Sequence, residues 1–238
     1  MTSGLQEGWW WLGGALGLAV LGANLAWAAR HLPDGAARDA LSRLTAHPLT
    51  PYLWQTVRLL YYVGLPFAAL VWGQDAVIGR WLGLQPFALF GAPPDAVGGW
   101  LDWVQDAGRA AALGGAVWLL AEAGRWAYRR AVPSVPPSPL PSPSLREAVY
   151  HEAHWAFYRN APIMTLGVYW GAWAGLLLTA AEAWLNPEWR AGLADVARAP
   201  AQLLRAGMAV LSTLLFLTTQ NIWLAVLLHW AITARCRD

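Results

Sequence analysis

Residues 146–162 read REAVYHEAHWAFYRNAP, and they lie between a proline- and serine-rich segment and a long apolar run. No other part of the chain concentrates polar side chains to this degree. At about 100° per residue, one stripe of an α-helix would carry Glu147, His151, His154 and Tyr158. Glu152 and Arg159 would share a second stripe, about 120° from the first. The pattern predicts a helix that could carry a functional site beside a membrane segment.

The composition around this stretch indicates a membrane protein. Of the 238 residues, 57% are hydrophobic and 13% are charged, whereas soluble domains carry about 25% charged residues. Apolar runs recur at the length of about 20 residues that a helix needs to cross a bilayer. We therefore expect an all-α, polytopic transmembrane helical bundle with about six spans. Many of the 18 tryptophans stand at the ends of apolar runs, which is typical of interface anchors, with pigment or substrate stacking as the alternative.

The N-terminal half of the predicted bundle comprises residues 1–131. Three of its apolar segments are predicted to cross the membrane: residues 9–29, 53–72 and 107–126. The arginines that follow the first span place the next loop in the cytoplasm and the N-terminus outside. Residues 81–91 are too short for a full span, so we expect an interfacial or re-entrant segment there. A Pro/Ser-rich linker is predicted at residues 132–145.

The C-terminal half comprises residues 146–238. We expect the polar helix to break at residues 160–162 or to bend there into the next span. An outer loop is expected at residues 186–200, and three spans are expected: residues 163–185, 203–217 and 222–234. Six spans would leave Arg235 and Arg237 outside, against the preference of arginine for cytoplasmic loops. A single long, tilted span from residue 201 to residue 235 would place them inside. The sequence leaves these two topologies open.

His229 is an ionisable residue within the last predicted span, which makes it a candidate functional residue. The surrounding sequence LFLTTQNIWLAVLLHWAI (residues 215–232) resembles the last motif of the CPBP intramembrane protease family, the CAAX-prenyl and bacteriocin-processing type. HWAFYRN (residues 154–160) stands where that family has Glu-Glu-x-x-x-Arg, so Arg159 matches the motif's arginine. The two motif glutamates would fall on His154 and Trp155. The family's middle histidine is absent, because no histidine lies between His154 and His229.

The resemblance implies a membrane bundle in which glutamate and histidine activate a water molecule, with or without a metal. If the chain is active, the candidate catalytic residues are Glu152, Arg159 and His229. A zinc site would draw on four candidate ligands: Glu147, His151, His154 and His229. His229 is also the candidate ligand if the chain instead binds haem or a pigment. Transport is a further class, although the spans show no obvious relay or inverted repeat.

The missing motif residues favour a catalytically degenerate member of that family, so we expect a non-catalytic accessory or scaffold subunit with no cofactor. The expected partners are the lipid bilayer and other membrane-protein subunits. A net charge of +2 and the lack of a long basic run argue against nucleic acid. The expected location is the bacterial cytoplasmic (inner) membrane. The alternative remains an active intramembrane metalloprotease.

Overall fold

The computed structural model describes residues 2–73, 76–86, 99–133 and 144–236, and it is all-α: 85% of it is helical, and these residues contain no strand. The helices are α1 (Thr2–Arg30), α2 (Ala36–Ala46), α3 (Thr50–Leu59), α4 (Leu65–Trp72), α5 (Trp100–Ala131), α6 (Leu145–Leu185), α7 (Pro187–Ala194), α8 (Ala199–Thr219) and α9 (Ile222–Arg235). Three of them contain segments long and apolar enough to cross a membrane: Gly4–Arg30, Leu145–Leu185 and Ala199–Thr219. The length and apolar composition of these segments support the prediction that the chain is a membrane protein.

The second predicted span coincides with a continuous helical segment formed by α3, a π-helical turn at Leu60–Gly64, and α4. The π-helical turn directly precedes Pro66, which lies at the start of α4. Proline has no N–H to donate to the carbonyl four residues earlier, so the regular α-helical ladder cannot continue unchanged through this point. The π-helical turn contains Tyr61 and Tyr62, and both tyrosine rings contact α6.

The longest helical element, α6, is two antiparallel halves joined at Gly167, whose φ of 79° and ψ of 170° are not helical. A Cβ on Gly175 would lie 2.8 Å from Arg159 Cα, and one on Gly171 would collide with the backbone of Ile163. Glycine alone permits both the positive φ and this close approach. Of the predicted break or bend at residues 160–162, a break is not found: helix continues through Pro162, and the chain reverses five residues later, at Gly167.

Two sets of contacts define the ends of the bundle. We call one the arginine end, where α1, α5 and α9 finish and where α3, α6 and α8 begin. Arg30 pairs with Glu188 of α7 at 3.2 Å. The Tyr128 hydroxyl donates a hydrogen bond to the carbonyl of Val196. Since α7 lies beside the C-terminal end of α1, the prediction that residues 186–200 face the opposite side from the loop after α1 is wrong.

The opposite end, which we call the loop end, is organised by residues 76–86. The Asn160 side chain donates to the carbonyl of Ile78 and accepts from its N–H, both at 3.1 Å. Gly83, with φ of 80°, accepts a hydrogen bond at 2.9 Å from the N–H of Ile222 at the start of α9. Residues 81–86, part of the predicted interfacial or re-entrant segment, are therefore non-helical and pack on α6 and α9. Residues 87–91 of that segment and residues 134–143 of the predicted linker lie outside the described residues.

The predicted polar break near the C-terminus is confirmed. α8 ends at Thr219, α9 begins at Ile222, and Gln220 between them has a left-handed φ of 49°. The Asn221 side chain caps α9 by accepting from the N–H of Trp223 at 3.0 Å. In α5, Arg125 donates to the carboxylate of Glu122 and also to the carbonyl of Cys236.

We predict that Gly175→Leu destabilises the protein by about 3 kcal/mol, because the new side chain would overlap Arg159 in the opposite half of α6. Gly115→Leu is the matched control, since a Cβ on Gly115 has nothing within 4 Å. Unfolding of both variants in detergent micelles, followed by tryptophan fluorescence, measures the difference. Equal stability of the two variants would contradict the hairpin at Gly167.

Candidate functional site

The centre of the candidate site is a buried hydrogen bond between α6 and α9. Glu152 Oε1 lies 2.9 Å from His229 Nδ1, and the two residues are 1% and 8% exposed. The structure therefore brings together two of the three predicted catalytic residues, which are separated by 77 positions in the chain. An ionisable group in a low-dielectric interior needs such a partner, because an isolated buried charge is strongly unfavourable.

The third predicted catalytic residue, Arg159, joins the pair through Ser212 of α8. The Ser212 hydroxyl donates to Glu152 Oε2 at 2.5 Å, and Arg159 Nη1 donates to Ser212 Oγ at 3.0 Å. We call Glu152, Arg159, Ser212 and His229 the Glu152 network. It connects α6, α8 and α9, and it occupies both oxygens of the carboxylate. The Ser212 hydroxyl lies between the carboxylate of Glu152 and the guanidinium of Arg159, so the positive charge of Arg159 offsets the negative charge of Glu152.

Helical periodicity explains why α6 supplies two members of this network. Glu152 and Arg159 are seven residues apart, or two helical turns, so they lie on the same face of α6. The Arg159 guanidinium also lies over the ring of Phe216, 4.8 Å from its centroid. This cation–π contact accommodates a buried cation whose Nε has no hydrogen-bond partner among the described residues.

Aromatic rings hold the imidazole of His229 in place. The Trp155 ring is stacked on it at a centroid distance of 5.4 Å, and the His151 ring is stacked at 5.6 Å with an interplanar angle of 7°. His229 Nδ1 is taken by Glu152, and no hydrogen bond from Nε2 to a described residue is present. His229, the candidate ligand for haem or a pigment, therefore has its Nδ1 hydrogen-bonded to Glu152, and the stacked rings fix the orientation of its imidazole.

A second carboxylate–histidine pair lies inside the α6 hairpin. His154 Nε2 is 2.8 Å from Glu182 Oε2, and this contact links the two antiparallel halves. Three tyrosine rings surround the imidazole: those of Tyr61, Tyr62 and Tyr158, at centroid distances of 5.3, 5.2 and 4.2 Å. His154 and Glu152 therefore have separate partners, although they are two residues apart.

The four predicted zinc ligands are not brought together. Both carboxylate oxygens of Glu147 bind Arg58, at 2.9 and 2.5 Å. His154 is paired with Glu182, whereas the rings of His151 and His229 are stacked face to face. Among the described residues, no group of three or more His, Cys, Asp or Glu side chains is arranged to hold a metal ion. The donor set as placed does not fit the three-ligand geometry of a catalytic zinc site.

The surroundings of the Glu152 network are closely packed. A narrow space lies beside Arg159, bounded by Leu82, Phe216 and Ile222, and it does not admit a water molecule. A carboxylate that acts as a general base must reach the proton of an attacking water. In this arrangement one oxygen of Glu152 is bonded to His229 Nδ1 and the other to the Ser212 hydroxyl.

Two participants were missed in the sequence. The sequence gives little indication that Ser212 contacts another helix, because hydroxyl groups in apolar helices usually hydrogen-bond within their own helix. Thr213 does so, donating to the carbonyl of Ala209 at 3.0 Å. Glu182 lies near the end of the predicted span at residues 163–185, and its pairing with His154 depends on the reversal at Gly167. Comparison of the chain with known proteins finds no matching family model, no similar curated protein and no similar solved structure.

We predict that Ser212→Ala lowers the free energy of unfolding by about 1–3 kcal/mol, because Glu152 Oε2 and an N–H of Arg159 would be left buried without partners. The control is Thr213→Val, which removes a neighbouring buried hydroxyl that bonds only within its own helix. Chemical unfolding in micelles measures both variants. A Ser212→Ala protein as stable as Thr213→Val would show that the Glu152 network contributes nothing to stability.

Proposed function

We propose that the protein is a multi-pass protein of a bacterial cytoplasmic membrane with seven crossing segments. Within the described residues, seven helical segments run between the arginine end and the loop end: α1, α3 with α4, α5, the two halves of α6, α8 and α9. The extra segment relative to the six expected from hydropathy arises from the reversal at Gly167.

The distribution of arginine supports the orientation. The following arginines lie at the arginine end or within about two turns of it: Arg30, Arg38, Arg43, Arg58, Arg125, Arg129, Arg130, Arg146, Arg190, Arg198, Arg205 and Arg235. Arginine is enriched in cytoplasmic loops, so the arginine end faces the cytoplasm. With seven segments Arg235 joins this group, and the conflict produced by six spans disappears.

Single-cysteine labelling tests the orientation. In a Cys236→Ala background, we expect Leu84→Cys at the loop end to react with a membrane-impermeant maleimide in intact cells. Val196→Cys at the arginine end should react only after permeabilisation. The two positions are matched in exposure, at 40% and 44%. Labelling of Val196→Cys in intact cells would instead support an outer loop at residues 186–200 and would contradict seven segments.

We further propose that the protein is a non-catalytic accessory or scaffold subunit of a membrane complex. The observation that carries this proposal is that both oxygens of Glu152 are occupied: one is bonded to His229 and the other to Ser212. The narrow space beside Arg159 and Ser212 does not admit a water molecule. A fully satisfied buried polar network makes a helix bundle rigid and specifies one arrangement of its helices. Rigidity of this kind suits a subunit on which other membrane helices assemble.

The apolar surface supports association within the membrane. Large side chains that point away from the bundle occur on several elements, among them Trp54, Trp72, Trp126, Trp170 and Trp184. In a bilayer such residues contact lipid or neighbouring subunits. The partial resemblance to the CPBP family is consistent with descent from an enzyme whose catalytic residues were replaced.

An active intramembrane hydrolase is the second candidate, and one specific observation favours it. The hydrogen bond between Glu152 and His229 places a carboxylate and an imidazole together inside the bundle. A carboxylate–imidazole pair is able to move a proton from a water molecule to a leaving group. This function requires the bundle to open beside Arg159, so that water and substrate reach Glu152.

Purification of wild-type and Glu152→Gln protein from the native membrane distinguishes the two functions. We expect the same partner polypeptides in a fixed ratio with both proteins, and no membrane protein that changes in length between the two strains. Accumulation of one uncleaved membrane protein in the Glu152→Gln strain, with loss of its fragment, would establish the hydrolase. Glu182→Gln is the control, because it alters the other buried carboxylate–histidine pair.

A further inference from the structure

An open groove of about 410 Å³ runs along the outer surface of α1 where that helix faces α4. From α1 its lining includes Glu7, Trp10, Trp11, Gly14 and Leu18. These positions follow the i, i+3, i+4, i+7, i+11 spacing of one helical stripe. From Glu7 to Leu18 the stripe is about 16 Å long at 1.5 Å per residue. Leu65 of α4 forms part of the opposite wall.

Glu7 gives one end of this groove a negative charge. Within the described residues, no side-chain ion pair or hydrogen bond joins its carboxylate to another residue, and the other residues that line the groove are uncharged. Trp10 is adjacent and 72% exposed, so its ring face is available to a cation. A carboxylate beside an indole forms a site with affinity for a positively charged group.

The position of Glu7 along the bundle indicates which positively charged groups lie near it. Its neighbour Gly8 is packed against the loop end, since a Cβ on Gly8 would lie 2.9 Å from the carbonyl oxygen of Ala76. In the proposed orientation this is the level at which lipid headgroups meet the hydrocarbon, and tryptophan is enriched there. The remaining groove, past Gly14 to Leu18 and Leu65, extends into the hydrocarbon and is apolar.

We propose that this groove binds one phospholipid with a primary-ammonium headgroup, of the phosphatidylethanolamine class. The ammonium group pairs with the carboxylate of Glu7 and lies against the ring of Trp10. One acyl chain lies along Gly14, Ala15, Leu18 and Leu65. The proposal requires a membrane-embedded bundle and is independent of whether the Glu152 network is catalytic.

Lipid retention tests the proposal. The full chain is assembled in nanodiscs containing equal amounts of phosphatidylethanolamine and phosphatidylcholine, extracted in mild detergent, and analysed for bound lipid by native mass spectrometry. We expect the wild type to retain one phosphatidylethanolamine, with about tenfold preference over phosphatidylcholine, because only the primary ammonium donates charge-assisted hydrogen bonds. Glu7→Gln should abolish the preference.

Two glycine variants provide a matched pair. A Cβ on Gly13 or on Gly14 has nothing within 4 Å, but only Gly14 lines the groove. Gly14→Leu should fill the groove and remove the bound lipid, whereas Gly13→Leu should retain it. A preference unchanged in Glu7→Gln, equal retention of both lipids by the wild type, or a dimer that Gly14→Leu dissociates would each overturn the proposal.

Discussion

The approach of the two halves of α6 is the constraint on which the rest of the bundle depends. Glycine at positions 167, 171 and 175 allows the chain to reverse and the two helices to meet backbone to backbone. The reversal places Glu182 against His154 and leaves the Glu152 face of the first half toward α8 and α9. The two carboxylate–histidine pairs are therefore consequences of one turn, which also sets the direction of every later segment.

Buried charge then fixes how the last helices pack. Hydrophobic contacts between helices in a bilayer are only weakly selective, because lipid chains are as apolar as leucine. Polar groups supply the selectivity, since a carboxylate without a partner is unfavourable in this environment. Glu152 meets that requirement only when Ser212 of α8 and His229 of α9 are both in place. At the loop end the side chains of Asn160 and Asn221 fix the connecting segments in a similar way.

The helical class and the break after Thr219 could be predicted from composition and from polar residues in apolar segments. Glu152 is grouped with His229 only through the family resemblance, as a candidate for the missing motif glutamates. The reversal at Gly167 could not be predicted, because glycines four apart are equally typical of contacts between separate helices. Asn160 and Pro162 gave a stronger local signal for a break, yet the Asn160 side chain is engaged by Ile78 and helix continues past it. The role of Ser212 depends on that long-range geometry, which no local pattern encodes.

The α6 hairpin also bears on how the chain is made. Residues 145–185 leave the ribosome before α8 and α9, so the hairpin is synthesised before the partners of Glu152. The partner of His154, Glu182, belongs to the same hairpin. The partners of Glu152 and Arg159, which are Ser212 and His229, belong to helices that are synthesised later. In the proposed membrane-embedded bundle, a carboxylate and a guanidinium would therefore lack these partners until α9 has been synthesised. A chaperone or quality-control protease that recognises charge in the bilayer would therefore distinguish unfinished chains from finished ones.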